Sequence, residues 1–330
     1  MKKYLLLASV LILAGTLSFA TRVQAVTYSS GDVFASVGNG KVEVYSSTGT
    51  LIQTLNNGLG STFTTGGMFD AAGNFYVTTF GSNVVSKFDN NGSLVNGSFM
   101  IGCNADCESI TRDQSGNAYV GHADGTGDIR KYDIATGAFI TSFSPTVSPR
   151  GTDWVDLAAD QHTIFYTSEG GLIRRFDTAT NTQLSNFNAI DAGSNMFALR
   201  ILADGGVLVA HTADVLRYDS NGVLVHTYTF AHSGTLFALN LDPDGTSFWT
   251  GDLGGDNKVF RIDIATGAVI TSFNTLQAGD NTLAGVTVFG EITQGGGGAG
   301  RGGQVPEPSS ILLLGFGLAG IAKWRKKSGN

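Results

Sequence analysis

The sequence predicts an all-β fold: a six-bladed β-propeller of four-stranded blades, closed by a C-terminal strand that completes the first blade, with an apolar helix at each end. Three observations carry this expectation. First, IRKYDIATGAFITSF (129–143) returns as VFRIDIATGAVITSF (259–273), and from the Asp onward the copies differ only at Phe139 against Val269. Second, Asp133 and Asp263 stand three periods of about 43 residues apart, the length of a blade read as several short strands. Third, Gly accounts for 46 of 330 residues and Pro for only 5, as many tight turns between strands require.

Weaker copies fill the remaining periods: VSKFDNNGSLVNGSF (85–99), IRRFDTATNTQLSNF (173–187) and VLRYDSNGVLVHTYTF (215–230). A first copy, VEVYSSTGTLIQTL (42–55), carries Ser46 where the others carry Asp. Within a period such as 66–99, runs rich in Val, Tyr, Phe and Thr alternate with Gly, Asn and Asp turns, the pattern of half-buried strands. Asp89, Asp133, Asp177, Asp219 and Asp263 each precede the tightest turn, where a carboxylate accepts local N–H bonds and a following Gly takes positive φ. They read as turn formers.

Third strands fall near Val44, Lys87, Lys131, Arg175, Arg217 and Arg261, which makes six blades. The first period opens at GDVFASV (31–37) without an inner strand, while NTLAGVTVFGEI (281–292) is left over at the end. Placing that spare strand in the first blade closes the ring and hides both sheet edges. Seven blades would need a period of about 37, which the Asp spacing excludes.

The ends have their own grammar. Met1-Lys2-Lys3, an apolar run from Tyr4 to Leu17 and small residues up to Ala25 have the layout of a secretory signal peptide, which makes signal peptidase a processing partner and places the mature protein outside the cytoplasm. At the other end, TQGGGGAGRGGQ (293–304) reads as a flexible tether. It is followed by VPEPSS, an apolar run from Ile311 to Ala322 and the basic end Lys323-Trp324-Arg325-Lys326-Lys327. The expected division is 1–25 signal peptide, 26–290 propeller, 291–304 Gly-rich linker and 305–330 terminal signal. The whole chain carries −7, but residues 26–305 hold 13 Lys and Arg against 26 Asp and Glu, a net −13. That balance argues against nucleic acid, whose phosphates require a basic face, and suits a secreted surface or cation binding.

The repeats resemble the broad superfamily of six- and seven-bladed propellers that includes YVTN, NHL, WD-repeat and gluconolactonase-like proteins, on the blade pattern Y/F-D-x-x-T-G. Phe143 and Phe273 end the strands where quinoprotein dehydrogenases carry a Trp, which counts against a quinone cofactor. The C-terminal layout resembles the PEP-CTERM sorting signal of Gram-negative bacteria, with Pro306, Glu307 and Pro308 at the recognition motif. That resemblance implies transient membrane insertion through the hydrophobic helix and removal of the tail by an exosortase. It also implies residence at the cell envelope, outer surface or matrix, and a link to exopolysaccharide or biofilm.

One column of residues invites chemistry. Thr79, His122, Glu169, His211 and Asp252 end successive second strands, and the loops leading into the inner strands add Asp106, Glu108, Asp153, Asn195, His232 and Asp280. His122, Glu169, His211 and Asp252 together offer imidazole and carboxylate donors, a set that suits a divalent metal near the channel mouth. The competing reading is that loop ends on one face are polar because they are wet. Cys103 and Cys107, spaced CNADC, are expected to form a local disulfide in an oxidising compartment, two free thiols or a redox pair being the alternatives. Trp154 and Trp249 are candidates for glycan contact but sit inside strand patterns that point to the core. No nucleophile elbow, phosphate loop or H-E-x-x-H is present. The leading expectation is a binding module for a polysaccharide or surface protein, with no cofactor assigned. Its rival is an extracytoplasmic metal-dependent hydrolase or lyase acting at the channel mouth.

Overall fold

The computed structural model describes residues 26–60, 62–276 and 282–295. The expected signal peptide (1–25), the sorting motif and the apolar run expected to form a helix lie outside the described residues. Among the described residues the chain forms 24 strands, β1 to β24, arranged as six four-stranded antiparallel sheets. The innermost strands are β24 (Gly285–Val288), β4 (Phe63–Phe69), β8 (Cys107–Arg112), β12 (Val155–Leu157), β16 (Met196–Ile201) and β20 (Thr235–Leu241). They pack side by side in that order, and β20 returns to β24, so the ring is closed.

Closure is made by the spare C-terminal strand. β24 pairs antiparallel with β1 (Val33–Ser36), matching Val33 to Val288 and Ser36 to Gly285, and completes the first blade. The core is divided accordingly. Six apolar layers lie between successive blades, the layer joining the last blade to the first holding Val33, Trp249, Leu283, Val286 and Val288. Trp154 and Trp249 are both buried in such layers, which removes them as glycan platforms. Inner strands converge toward the axis, and glycine is required where they touch. A Cβ on Gly66 would lie 2.7 Å from the Glu108 carbonyl oxygen of the neighbouring blade, and one on Gly285 would collide with the Thr65 carbonyl.

The repeated Asp residues do what turns ask of them. The Asp219 carboxylate accepts the N–H groups of Asn221 and Val223, both at 2.9 Å, and Gly222 sits at φ 74°. Asp133 and Asp263 accept both the N–H and the hydroxyl of Thr136 and Thr266. In the first blade the Ser46 hydroxyl accepts the Thr50 N–H at 3.1 Å, so the departure from Asp keeps the function. The third-strand cations also have a structural reason. Lys87, Lys131, Arg175 and Arg261 lie 5.0–5.8 Å from the ring centres of Tyr76, Tyr119, Phe165 and Trp249 on the adjacent second strand. Each such contact contributes about 0.5–1 kcal/mol at a solvated site.

Beyond β24 the chain does not leave the ring at once. Residues 291–295, which the sequence assigns to the Gly-rich linker, run beneath the channel. Glu291 is buried, with one oxygen 3.5 Å from Arg200 Nε, and the Gln294 carbonyl accepts a hydrogen bond from Gln161 Nε2 at 3.2 Å. A Cβ on Gly295 would lie 2.7 Å from the Arg112 carbonyl. The chain thus crosses from the first blade to the third and fourth, and seals the face on which the inner strands end. Composition misleads here because small Gly residues let the backbone pass closely under the ring.

Leu283, Val286 and Val288 are essentially fully buried. At about 1.5–3 kcal/mol each, their loss is comparable to the whole net stability of a typical domain. A chain ending at Leu276 is therefore expected to lose its cooperative melting transition, whereas one ending at Gly295 retains it, as followed by calorimetry.

Candidate functional site

The opposite face of the ring, where the inner strands begin, holds a cavity of about 370 Å³. Its walls are the side chains of Phe63, Phe80, Phe197, Phe237 and Leu253, and its polar groups come from Thr65, Glu108, Arg150, Glu169, Asn195 and Thr235. A local irregularity shared by four blades builds it. The pairing register of the inner strand shifts between Thr64 and Gly67, Cys107 and Ser109, Met196 and Leu199, and Leu236 and Ala238. Extra residues at those bulges include Thr65, Glu108, Phe197 and Phe237, all of which line the cavity. A bulge releases a residue from strict alternation and re-aims its side chain, here toward the channel mouth.

The charged groups fall into two sets. Arg150 is satisfied: it donates to Glu169 at 2.6 Å and to Asp124 at 2.9 Å, and its guanidinium lies 5.9 Å from the Phe80 ring centre. Glu108, and Asp153 outside the cavity lining, are not. They are 2 % and 1 % exposed, and Glu108 Oε2 and both carboxyl oxygens of Asp153 lack any hydrogen-bond partner. Burial pushes the Glu108 carboxyl up to about 8, against the pull of Arg150 and with the help of Glu169, Asp124 and Asp106. Burial, then the charges of Glu108 and Glu169, push Asp153 up to about 10. Both acids are thus held protonated at neutral pH.

The four residues expected to share a metal are spread around the rim, each engaged within its own surroundings. His122 is buried and its Nδ1 lies 2.8 Å from the Asp128 carbonyl oxygen; burial lowers its basicity and keeps it neutral. His211 Nδ1 lies 2.7 Å from the Asp214 carboxylate, and Glu169 pairs with Arg150. Asp252 accepts the Lys258 N–H at 2.6 Å and the Ser233 hydroxyl at 3.2 Å. Among the described residues, three potential ligand atoms come within 4.8 Å of one another only at Cys103, Cys107 and His122. The two sulfur atoms there are bonded as a disulfide, with Cα atoms 6.0 Å apart, so they offer no thiolate. Among the described residues no three of His122, Glu169, His211 and Asp252 bring ligand atoms within 4.8 Å of one another, and Glu169 is the member of the set that lines the cavity.

Of the other candidates on this face, Glu108 and Asn195 reach the cavity. Asp106 accepts the Gly81 N–H at 3.0 Å, Thr79 donates to the Val84 carbonyl, and His232 bridges the Gly234 and Ala213 carbonyls. Asp280 lies outside the described residues. Sequence reading missed Arg150 and the four phenylalanines. The one legible signal was the recurrence of F-A-L at 197–199 and 237–239, at the same place in two successive inner strands.

Comparison with known proteins places the two parts of the chain. Residues 304–327 match the PEP-CTERM protein-sorting motif. No curated protein matches the chain. Among solved structures, the WD40 β-propeller domain of Doa1 is similar at 13% identity and a TM-score of 0.57, over 77% of this chain and 81% of that one. A chain of the nidogen/laminin complex is similar at 14% identity and a TM-score of 0.63, over 78% of this chain and 98% of that one. At such identities the likeness establishes the propeller fold alone. The sorting motif makes this an exported protein, processed by an exosortase and directed to the cell envelope or surface.

The raised carboxyls have a measurable consequence. The folded protein holds protons on Glu108 and Asp153 that the unfolded chain, with ordinary values of 4.5 and 3.8, releases. Their contribution is complete below about pH 4 and is lost as pH rises through about 8 and then about 10. Asp153→Asn is expected to raise stability at pH 9 by on the order of 1–3 kcal/mol while changing little at pH 5, as read by melting at the two pH values.

Proposed function

We propose that this chain is a binding module of the cell surface or extracellular matrix, a propeller that receives a polysaccharide or a surface protein at its channel mouth. In this reading residues 1–25 are removed as a signal peptide, and the exosortase removes the hydrophobic tail of residues 305–330. In the same reading the tether runs from Gly295 onward, and the module's role is linked to exopolysaccharide or biofilm. One observation carries the proposal: a phenylalanine-walled cavity of about 370 Å³ lined by the buried Glu108, whose Oε2 has no partner, on the face opposite residues 291–295. Recognition sites combine apolar walls with a few convergent polar groups, and this cavity has both.

Phe63 is 37 % exposed and Asn195 is exposed, so both can be truncated at little cost to the fold. Mature protein should be captured by the matrix polysaccharide or surface-protein fraction of the producing cells. The double variant Phe63→Ala with Asn195→Ala should be captured at least about tenfold less well. Undiminished capture of that variant would move the ligand away from the mouth. A stoichiometric divalent ion in protein purified without chelator, lost on replacing His122 and His211, would favour the hydrolase or lyase reading instead.

A further inference from the structure

We propose that the channel-mouth cavity is a site for an organic cation, an ammonium group carried on an apolar body, with Glu108 and Asp153 as its counter-charges. This inference rests on the reading of the mouth as a binding site and names the chemistry of what it binds. The first observation is geometric. Glu108 lines the cavity, is 2 % exposed, and leaves Oε2 without a donor, while Asp153 leaves both oxygens without one. A buried carboxyl with nothing to accept from is costly, and a ligand that donates N–H bonds removes that cost.

The second observation is the balance of charge around these two groups. Five acids influence one another here: Glu108, Asp153, Glu169, Asp124 and Asp106. Arg150 is a cation that lowers both Glu108 and Asp153, and its hydrogen bonds go to Glu169 and Asp124. An incoming positive charge therefore meets more acids than cations, and it favours the ionised forms of Glu108 and Asp153. The acidic ring as a whole, at −13 over residues 26–305, draws the same sign of ligand toward the mouth.

The third observation selects an organic cation over a bare metal ion. Among the described residues no set of three carboxylate oxygens lies within 4.8 Å, so the acids do not form a coordination shell. Phe63, Phe80, Phe197 and Phe237 instead supply aromatic walls, with the Phe197 and Phe237 ring centres 4.8 Å apart. Aromatic faces attract cations and shelter the apolar part of the ligand from water, a combination that suits ammonium compounds and leaves a small hydrated ion unsatisfied.

Binding then carries a proton signature. Glu108 and Asp153 hold protons in the free protein at neutral pH, and a bound ammonium favours their ionised forms, so uptake of the ligand expels protons to solvent. Affinity for a cation rises with pH through the range in which these carboxyls ionise. Affinity for a neutral ligand that accepts hydrogen bonds from the protonated acids falls over the same range.

The test uses the mature exported protein and two probes of nearly equal shape, 2-phenylethylamine and 2-phenylethanol, titrated by calorimetry. The expected result is that the amine binds at least about tenfold more tightly than the alcohol at pH 7.5. Its affinity should increase from pH 6 to 8.5, and buffers of different ionisation heat should reveal proton release. Glu108→Gln and Asp153→Asn, each close in shape to the native residue, should each reduce the preference for the amine. Equal binding of alcohol and amine, or amine affinity that falls with pH, would overturn the cation assignment and leave the mouth as a site for neutral ligands. Binding of neither probe to folded protein would also overturn it, while matrix capture decides independently whether the mouth binds anything.

Discussion

The pairing of β24 with β1 is the constraint on which the rest of the molecule depends. It joins residues some 250 positions apart in the chain, and its register fixes the angle between the first and last blades. Without it β1 would present an open edge and the apolar layer around Trp249, Leu283 and Val288 would face water. Because each blade buries its faces only against its neighbours, stability is shared among six similar layers and is complete only when the ring is closed. The segment after β24 reinforces this by passing under the channel to blades on the far side.

Closure also gives the disc two unlike faces. One is sealed by the crossing segment and its buried Glu291, set against Arg200. The other opens into the phenylalanine-walled cavity lined by the unpartnered Glu108. Residues 291–295, the last described before the sorting motif at 304–327, and the cavity are on opposite sides of the ring. This division of labour is a geometric product of strand direction. All six inner strands start at the mouth and end at the sealed face, and β24, the last of them, leads into residues 291–295 on the far side.

The sequence-visible columns and the cavity are built by different rules. His122, Glu169, His211 and Asp252 occupy matching places in a repeat, yet each bonds to a nearby partner, namely the Asp128 carbonyl, Arg150, Asp214 and Ser233 with Lys258. Equivalence in sequence does not gather them as ligands: Glu169 lines the cavity, but among the described residues no three of the four come within 4.8 Å. The cavity forms where the radius is smallest, at the start of the inner strands, and bulges there turn Glu108, Phe197 and Phe237 toward the axis. Disruption of regular pairing is thus where this fold gains a pocket.

What the sequence determined by itself was everything that depends on local period and composition. The blade repeat, the turn-forming Asp residues with their glycines, the need for a closing strand at 281–292 and the terminal sorting signal, read at 305–330 and matched at 304–327, were all legible. These features rest on strand alternation, φ preference and short apolar runs, which are encoded within a few residues of one another. Tertiary structure alone decided that Arg150 is spent on Glu169 and Asp124, that Glu108 and Asp153 are left unpartnered, and that residues 291–295 pack rather than swing free. Those outcomes depend on one-residue register shifts and on which blades meet across the channel, and neither leaves a mark in the order of residues along a single blade.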